Sequence, residues 1–447
     1  MNRRNFLGVL AAASSLRATD KRDMIVRSTR PEDLEMPLAG FMDEITPLEH
    51  FFVRTHDYAA TVDPQEWRLK VSGSVQNEIS LSLADLQSFP KIEMTAVLEC
   101  AGNGRSFYEP AVPGVQWAYG SVGNAKWTGA RLSDVLTKAG IKDEPIETLF
   151  AGADRPPGTM PAFQRALPLS KALHKDTILA YAMNGQPLPA AHGFPLRVIA
   201  TGWAGDNWMK WLSGIEVRKT PFEGFFMKSA YRHPLQPVAP GSAVDAAVMK
   251  PVEEIGVKSV IATPSNGAYL AAGTVKIALA AWSGMSPVVA VDVSLDRGRH
   301  WTPAKLSRNK TAYGFRLFET SFEAPGGYYV AMARARNERG DIQPMVQEWN
   351  PSGYLFNVVH QVAFSVRGEA PAQPLLEPSS ASADLPDGFK QKCYVCHEAD
   401  IIQQQRLTRG QWEKEVDKMV RWGANVNAGE RAPFLDYLAK SFGPHAR

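Results

Sequence analysis

Towards its C-terminal end the chain carries EAPAQPLLEPSSASADLPDG, Glu369 to Gly388, a run rich in Pro, Ser and Ala with little to bury. A run of that kind cannot offset the entropy of ordering by burying apolar surface, so residues 369–388 read as a tether. The tether splits the chain into a long body and a short module, residues 389–447. At roughly 150 residues per domain, 447 residues predict about three domains and ample length for a hydrophobic core. The 49 Lys+Arg nearly balance the 46 Asp+Glu, leaving a formal charge of +3. An ordinary soluble globular protein is expected, with no nucleic-acid partner.

The body changes pattern once. Residues 24–220 mix short apolar runs, Ile92 to Leu98 and Pro195 to Ala200, with a helix-like stretch at Leu132 to Gly140 and many loop residues, which predicts an α+β domain. Residues 221–368 turn to alternation, with Val291, Val293 and Leu295 on one side and Asp292, Ser294 and Asp296 on the other. Period two between turn clusters at Asp296 to Gly298, Ala324 to Gly327 and Asn337 to Gly340 predicts an antiparallel β-sandwich.

The opening segment, residues 1–23, has Arg3-Arg4 ahead of Phe6-Leu7 and a short, weakly apolar run, the layout of a twin-arginine export signal. It is too short to span a bilayer, and the apolar region from Val275 to Leu295 is broken by Lys276, Pro287 and Asp292, so no membrane span is expected. The expected location is the periplasm. Leu16-Arg17-Ala18 is a poor small-x-small cleavage site, so an uncleaved leader stays open. Because the twin-arginine route carries folded proteins, a cofactor inserted before export is also expected.

The chain has three cysteines, so disulfides alone cannot account for them. Cys393-Tyr394-Val395-Cys396-His397 is CxxCH, in which two thiols form thioethers to haem vinyl groups and the imidazole becomes an iron ligand. The alternatives are a redox CxxC, which ordinarily follows a strand in a thioredoxin-like fold, and half of a zinc site, which needs two further ligands. Trp412, Val416, Met419 and Val420 are expected on one helical face and Phe434, Leu435, Leu438 and Phe442 on another, two helices closing over an apolar cofactor. Met419 is one candidate for the sixth iron ligand and His445 the other, with plain core packing as the alternative for Met419.

Cys100 stands in Glu99-Cys100-Ala101-Gly102-Asn103-Gly104-Arg105, one thiol before a glycine-rich turn that ends in a guanidinium. A thiolate suits a soft, high-valent metal, while the turn's N–H groups and Arg105 suit an anion; a structural cysteine beside a loop arginine is the plainer alternative. FFVRTH at Phe51 to His56, the ECAGNGR run, Trp117, Gly152 to Asp154, LAYAMNGQPLPAAHGFPLRV from Leu179 and GWAGDNWMKWL from Gly202 together resemble the sulfite oxidase family of molybdenum enzymes. VDVSLDRGRHW from Val291 resembles that family's immunoglobulin-like dimerisation domain, and WNPSGYLFNVVH from Trp349 its closing motif. The resemblance runs from about Phe51 to Val366.

The resemblance implies an α+β molybdopterin domain, an immunoglobulin-like sandwich and a homodimer with isologous contacts; the CxxCH motif makes residues 389–447 a small helical cytochrome c module. It implies Cys100 as the molybdenum thiolate, and Arg54, His56, Asp154, His192, Arg197 and Lys210 around the pterin and its phosphate. It places substrate among Arg54, Arg105, Trp117 and Tyr231, the last donating from its phenol to an oxyanion. Trp208 stands where several relatives have a small residue, and Gln361 where the animal enzymes have a third pocket arginine, which weakens the case for a small dianion as sole substrate. The implied activity is oxidation of sulfite to sulfate, with electrons passing one at a time through haem c on His397 to a soluble cytochrome c. A tethered haem module that moves between the metal and this partner is expected from composition. The rivals are a sulfane-sulfur dehydrogenase of the thiosulfate-oxidising pathway, a nitrate reductase, and a non-catalytic haem electron-transfer or scaffold protein.

Overall fold

The computed structural model describes residues 21–444 apart from residues 22, 57, 307–310, 368–374 and 376–384. The Arg3-Arg4 leader, most of the tether and His445 lie outside the described residues. Lys21, inside the expected leader boundary, belongs to the folded body: its Nζ donates to the carbonyls of Leu48 (2.7 Å) and Phe51 (2.6 Å).

Two five-stranded sheets build the first domain. One runs Gln186–Pro187, Thr177–Met183, Val122–Arg131, Lys91–Glu99, with Arg197–Ala200 also paired to Thr177–Met183. The other runs Ile79–Leu81, Leu69–Gly73, Leu212–Arg218, Glu147–Gly152, Gln164–Pro168, and is mixed because Leu69–Gly73 lies parallel to Leu212–Arg218. The expected helix forms at Leu132–Ala139. It buries Leu132, Val135, Leu136 and Ala139 on one face, and Gly140, at φ 71°, closes it in a left-handed conformation that glycine adopts without a Cβ clash.

The second domain is a pair of β-sheets enclosing an apolar core of Ile261, Ile277, Leu279, Val291, Val293, Phe318, Val362 and Phe364 among others. Val291 and Val293 are buried as the alternation required, and Arg297 (φ 62°) and Gly298 (φ 82°) make the turn that follows. One feature differs from the expectation of a wholly antiparallel sandwich. Ala268–Leu270 pairs parallel to His360–Val366, an edge strand delivered by a crossover rather than a hairpin.

The two domains share buried contacts. Phe41 stacks on Trp282 at 5.7 Å and touches Phe315, joining first-domain residues to strands of the second. Glu99, immediately before Cys100, accepts from Lys258 Nζ (3.0 Å) and Asn103 Nδ2 (2.8 Å) through Oε1, and from Trp282 Nε1 (2.7 Å) through Oε2.

The C-terminal module contains helices Asp387–Cys393, Asp400–Gln403, Arg409–Arg421 and Ala428–Ser441, not two helices alone. The last two start with reciprocal capping boxes, Thr408 with Gln411 and Asn427 with Glu430. Trp412, Val416, Phe434, Leu435, Leu438 and Phe442 form its core with Leu385, Ile402 and Leu407. Val420 does not join them: it is 39% exposed in the last turn of its helix, while Trp422, which follows, meets the edge of Phe225 at 5.5 Å. Among the described residues no helix is long and apolar enough to cross a membrane.

Candidate functional site

Strand Lys91–Glu99 carries Cys100 to the edge of its sheet, where Cys100 N donates to Ser121 O at 2.9 Å. The chain then turns through Gly102-Asn103-Gly104. Gly104 sits at φ 90°, and a Cβ there would lie 2.4 Å from the ring of Phe356 in the second domain, so only glycine fits. A Cβ on Gly102 would meet the Arg105 guanidinium at 2.7 Å. The glycines therefore let the closing segment of the second domain and Arg105 press against the cysteine loop.

One cleft is lined by Arg54, His56, Cys100, Asp154, His192, Arg197, Lys210 and Tyr231, eight residues separated by up to 177 positions in sequence, with Phe52, Phe163, Asp206, Trp208 and Trp211 between them. They fall into two groups. Around the thiol, Arg54 Nη1 donates to Asp33 Oδ1 (3.2 Å) and to its neighbour's carbonyl at Thr55, and Tyr231 Oη and His56 Nε2 share a proton at 2.7 Å. His56 stacks on Phe163 at 4.4 Å, and Tyr231, strained at φ 53°, stacks on Tyr354 of the second domain at 5.3 Å. At the other end, Lys210 Nζ donates to Arg54 O (3.0 Å) and Ala191 O (3.0 Å), while Arg197 donates to His192 O (3.0 Å) and Trp208 O (3.1 Å).

The electrostatics of the cleft suit an anion. Burial first, and Arg197 second, push Lys210 down to about 7, and burial lowers Arg197 to about 9. His192 is held well below the usual imidazole range by burial and by Lys21, Arg197 and Lys210; His56 likewise by burial and by Arg54, Lys210, Arg165 and Arg105. Burial raises the Cys100 thiol against the pull of Arg105 and Arg54, and raises the Tyr231 phenol against Arg54. Burial alone would lower Arg54, but Asp33, Tyr231 and Cys100 beside it carry it above its ordinary value. Among the described residues, Arg197 Nε is buried without a hydrogen-bond partner. A phosphate and a dithiolene ligand would bring negative charge and an acceptor to this donor set, and a metal would displace the thiol proton. The residues thus fit a molybdopterin.

Arg105 and Trp117 are not among the residues that line this cleft. Arg105 lies behind the cysteine loop, donating to Val115 O (3.0 Å) and Ser352 O (3.3 Å) with its guanidinium over the Tyr354 ring at 5.0 Å. Because Gly102 and Gly114 leave room for it, it is drawn into the domain interface and acts on Cys100 through its charge. Trp117 is fully buried, and its indole N–H finds no partner among the described residues. Gln361 is exposed on strand His360–Val366, whereas its neighbour His360 is buried with its ring 4.2 Å from Tyr119, so the cleft's charge does not depend on position 361. Trp208 fits by turning its N–H to Trp203 O (2.9 Å) and its edge to Trp127.

Some site residues are not singled out by their motifs. Asp33, wholly buried, is the anchor of Arg54 and accepts from Thr55 N at 3.0 Å. Asp206 lines the cleft in a buried pair with Arg165 at 2.8 Å, and burial raises it to about 7 despite that partner. Asp206 and Tyr354 do stand within the quoted GWAGDNWMKWL and WNPSGYLFNVVH segments, whereas Asp33 lies outside every one.

In the module, Cys393, Cys396 and His397 are half-buried on one loop at the end of helix Asp387–Cys393. His397 Nδ1 lies 2.9 Å from Glu398 O; with Nδ1 donating to that carbonyl, Nε2 remains the ring's ligating atom. Burial lowers the imidazole, which keeps it neutral and able to bind iron. These residues fit a covalent haem. Among the described residues no strand precedes the CxxC within this module, unlike a thioredoxin-like redox site, and no three His, Cys, Asp or Glu side chains converge to hold zinc. Met419 is half-buried and outside the module's apolar cluster.

Comparison with known proteins gives matches over both body domains. The oxidoreductase molybdopterin binding domain matches residues 56–226, and the Mo-co oxidoreductase dimerisation domain residues 249–367. The chain is 36% identical to human (Homo sapiens) mitochondrial sulfite oxidase over 354 residues, 75% of this chain and 65% of that one. It is 35% identical to sulfite oxidase from Gallus gallus over 353 residues, 75% of this chain and 76% of that one. The chain thus spans 65% of the length of its mammalian relatives from Macaca fascicularis and Homo sapiens. Among solved structures, the sulfane dehydrogenase SoxCD from Paracoccus pantotrophus matches with a TM-score of 0.68 and 27% identity, over 78% of this chain and 88% of that one.

Proposed function

The chain belongs to the sulfite oxidase family of molybdopterin oxidoreductases, and from that premise we propose that it oxidises sulfite to sulfate and passes the electrons through a covalent haem c to an external cytochrome c. The observation that carries the reading is the convergence of Cys100, Arg54, His56 and Tyr231 with the donor group of Lys210, Arg197 and His192 on one cleft. Oxidation of sulfite takes an oxygen atom from water and releases two protons and two electrons; bound molybdopterin supplies the oxygen-atom transfer and the two-electron step. Lys210, Arg197, His192 and Asp154 would hold the pterin and its phosphate, and Cys100 would hold the metal.

The protein's own groups then divide the remaining work. Arg54, fixed by Asp33, meets the substrate anion with charge. Tyr231, its phenol kept protonated by burial, donates its one proton to an oxygen of the anion while its oxygen accepts from Nε2–H of neutral His56, which orients the phenol. Phe52, Phe163 and Trp208 limit water around these donors, which strengthens them. His397, with Cys393 and Cys396, would hold a covalent haem, and that group would supply one-electron transfer to the external acceptor. We take the protein to act in the periplasm after twin-arginine export, as a homodimer joined through the second domain.

Similarity to a sulfane dehydrogenase favours one second reading, oxidation of sulfane sulfur. Turnover of ferricytochrome c with sulfite against thiosulfate and a persulfidated peptide separates the two. The proposal expects two ferricytochromes reduced per sulfite and no steady turnover on the sulfane donors; the reverse preference would replace it.

A further inference from the structure

The contacts between the C-terminal module and the first domain are built around the CxxCH loop itself. Arg30 grips that loop from three sides. Its Nε donates to Glu398 Oε1 at 2.8 Å, its Nη2 donates to the carbonyl of Tyr394 between the two cysteines, and its own carbonyl accepts from Glu398 N at 3.2 Å. Thr29, one residue earlier, donates from both N (2.7 Å) and Oγ1 (2.9 Å) to Asp400 Oδ2.

A second set of bonds lies beside the first. Gln404 accepts from Gln116 N (2.7 Å) and donates to Arg27 O (2.8 Å), and Gln405 donates to Gly114 O (2.9 Å). One chain segment that the module grips leads to the cleft and the other to the arginine behind the cysteine loop. Arg30 is three residues from Asp33, the anchor of Arg54, and Gly114 and Gln116 flank Val115, whose carbonyl fixes Arg105. The tether is not free along its length either: Leu375, in its middle, exchanges N–H and C=O bonds with the Asn266 side chain at 3.1 and 2.8 Å. On the far side of the loop, Val395 is 67% exposed.

We propose that the haem module is a fixed electron outlet, latched to the molybdopterin domain by Arg30 and by Gln404 and Gln405, and that it passes electrons to its external acceptor from the Val395 side without undocking. This replaces the expectation of a module swinging on its tether, and it rests on the haem and sulfite reading above. Each of the two electrons from one sulfite crosses to the haem iron singly and leaves to a separate one-electron acceptor, so the haem returns to its oxidised form twice per turnover. The connection between the centres is the docked interface; the tether only adds local concentration.

The test cuts the tether in the full-length holoenzyme. A specific protease site is written into residues 377–384, the protein is cleaved, and gel filtration at about 1 µM asks whether the two pieces travel together. The proposal expects co-elution and an unchanged rate of sulfite-driven haem reduction. With Arg30→Ala and Asp400→Ala together, cleavage should release the module, since each lost charged hydrogen bond weakens the interface by about tenfold. The uncut double variant, with unaltered thermal unfolding of the body and unaltered haem content, shows that folding is intact. Separation of the pieces after cleavage without those two substitutions, a large fall in haem reduction on cutting, or co-elution of the cleaved double variant would each overturn the latch. The gel-filtration arm contains no substrate, so co-elution without sulfite-driven reduction rejects the sulfite reading while the docking stands.

Discussion

Replacing Tyr231 by phenylalanine is expected to lower kcat for sulfite by about 10²–10³-fold, with molybdenum content unchanged. The substitution removes a single oxygen. Phenylalanine keeps the ring that stacks on Tyr354 and that lies under the Arg165 guanidinium at 5.5 Å, so the packing around the strained backbone at φ 53° survives. What is lost is a buried, protonated donor in the cleft, and with it the bond to His56 Nε2. His56 is held neutral by burial and by four neighbouring cations, so it cannot replace the phenol by becoming imidazolium. A donor aimed at charge that grows in the transition state acts mainly on kcat, whereas loss of Arg54 should raise KM as well because its charge also binds the ground-state anion. Steady-state reduction of ferricytochrome c checks this; a Tyr231→Phe enzyme within about threefold of the parent would reduce Tyr231 to a spacer.

The second large effect lies one residue from Cys100. Glu99→Ala is expected to destabilise the protein by about 3–5 kcal/mol, the cost of leaving a buried charge without its partner. Lys258 is 1% exposed at the side chain and pairs with Glu99 at 3.0 Å. The same carboxylate satisfies Trp282 Nε1 and Asn103 Nδ2, so the substitution orphans three donors from both domains. Denaturant unfolding of Glu99→Ala beside Glu99→Gln/Lys258→Met should show most of the loss recovered in the double variant, because replacing a whole buried ion pair costs far less than breaking it. Equal losses in the two would mean that Lys258 does not depend on Glu99.

These two residues also mark how far the sequence alone could lead. Tyr231 was legible because its type and its place after Lys210 match a known family pattern, as were Cys100 and the cationic set that surrounds it. The strand at Lys91–Glu99, the helix at Leu132–Ala139 and the alternation around Val291 were legible from period and turn chemistry. Asp33, the Asp206–Arg165 pair and the Glu99–Lys258 ion pair were not, because each matters through a partner brought near only by the completed fold; Glu99 and Lys258 are 159 residues apart. The same limit explains Arg105. Its motif announced an anion-facing guanidinium, but residues 352–354 of the second domain draw it into the interface. Composition marked residues 369–388 as a tether, yet composition says nothing of Asn266, which holds Leu375 in place.

The central claim is that a sulfite-binding molybdopterin cleft and a haem on His397 form one electron path within this chain. The most direct measurement is to mix the oxidised, cofactor-loaded protein anaerobically with sulfite and follow the haem α-band in a stopped-flow spectrometer. Such a path predicts that the band appears within a single turnover with no external acceptor present, and that it disappears as ferricytochrome c is added. A molybdenum-loaded protein whose haem stays oxidised in excess sulfite would contradict it.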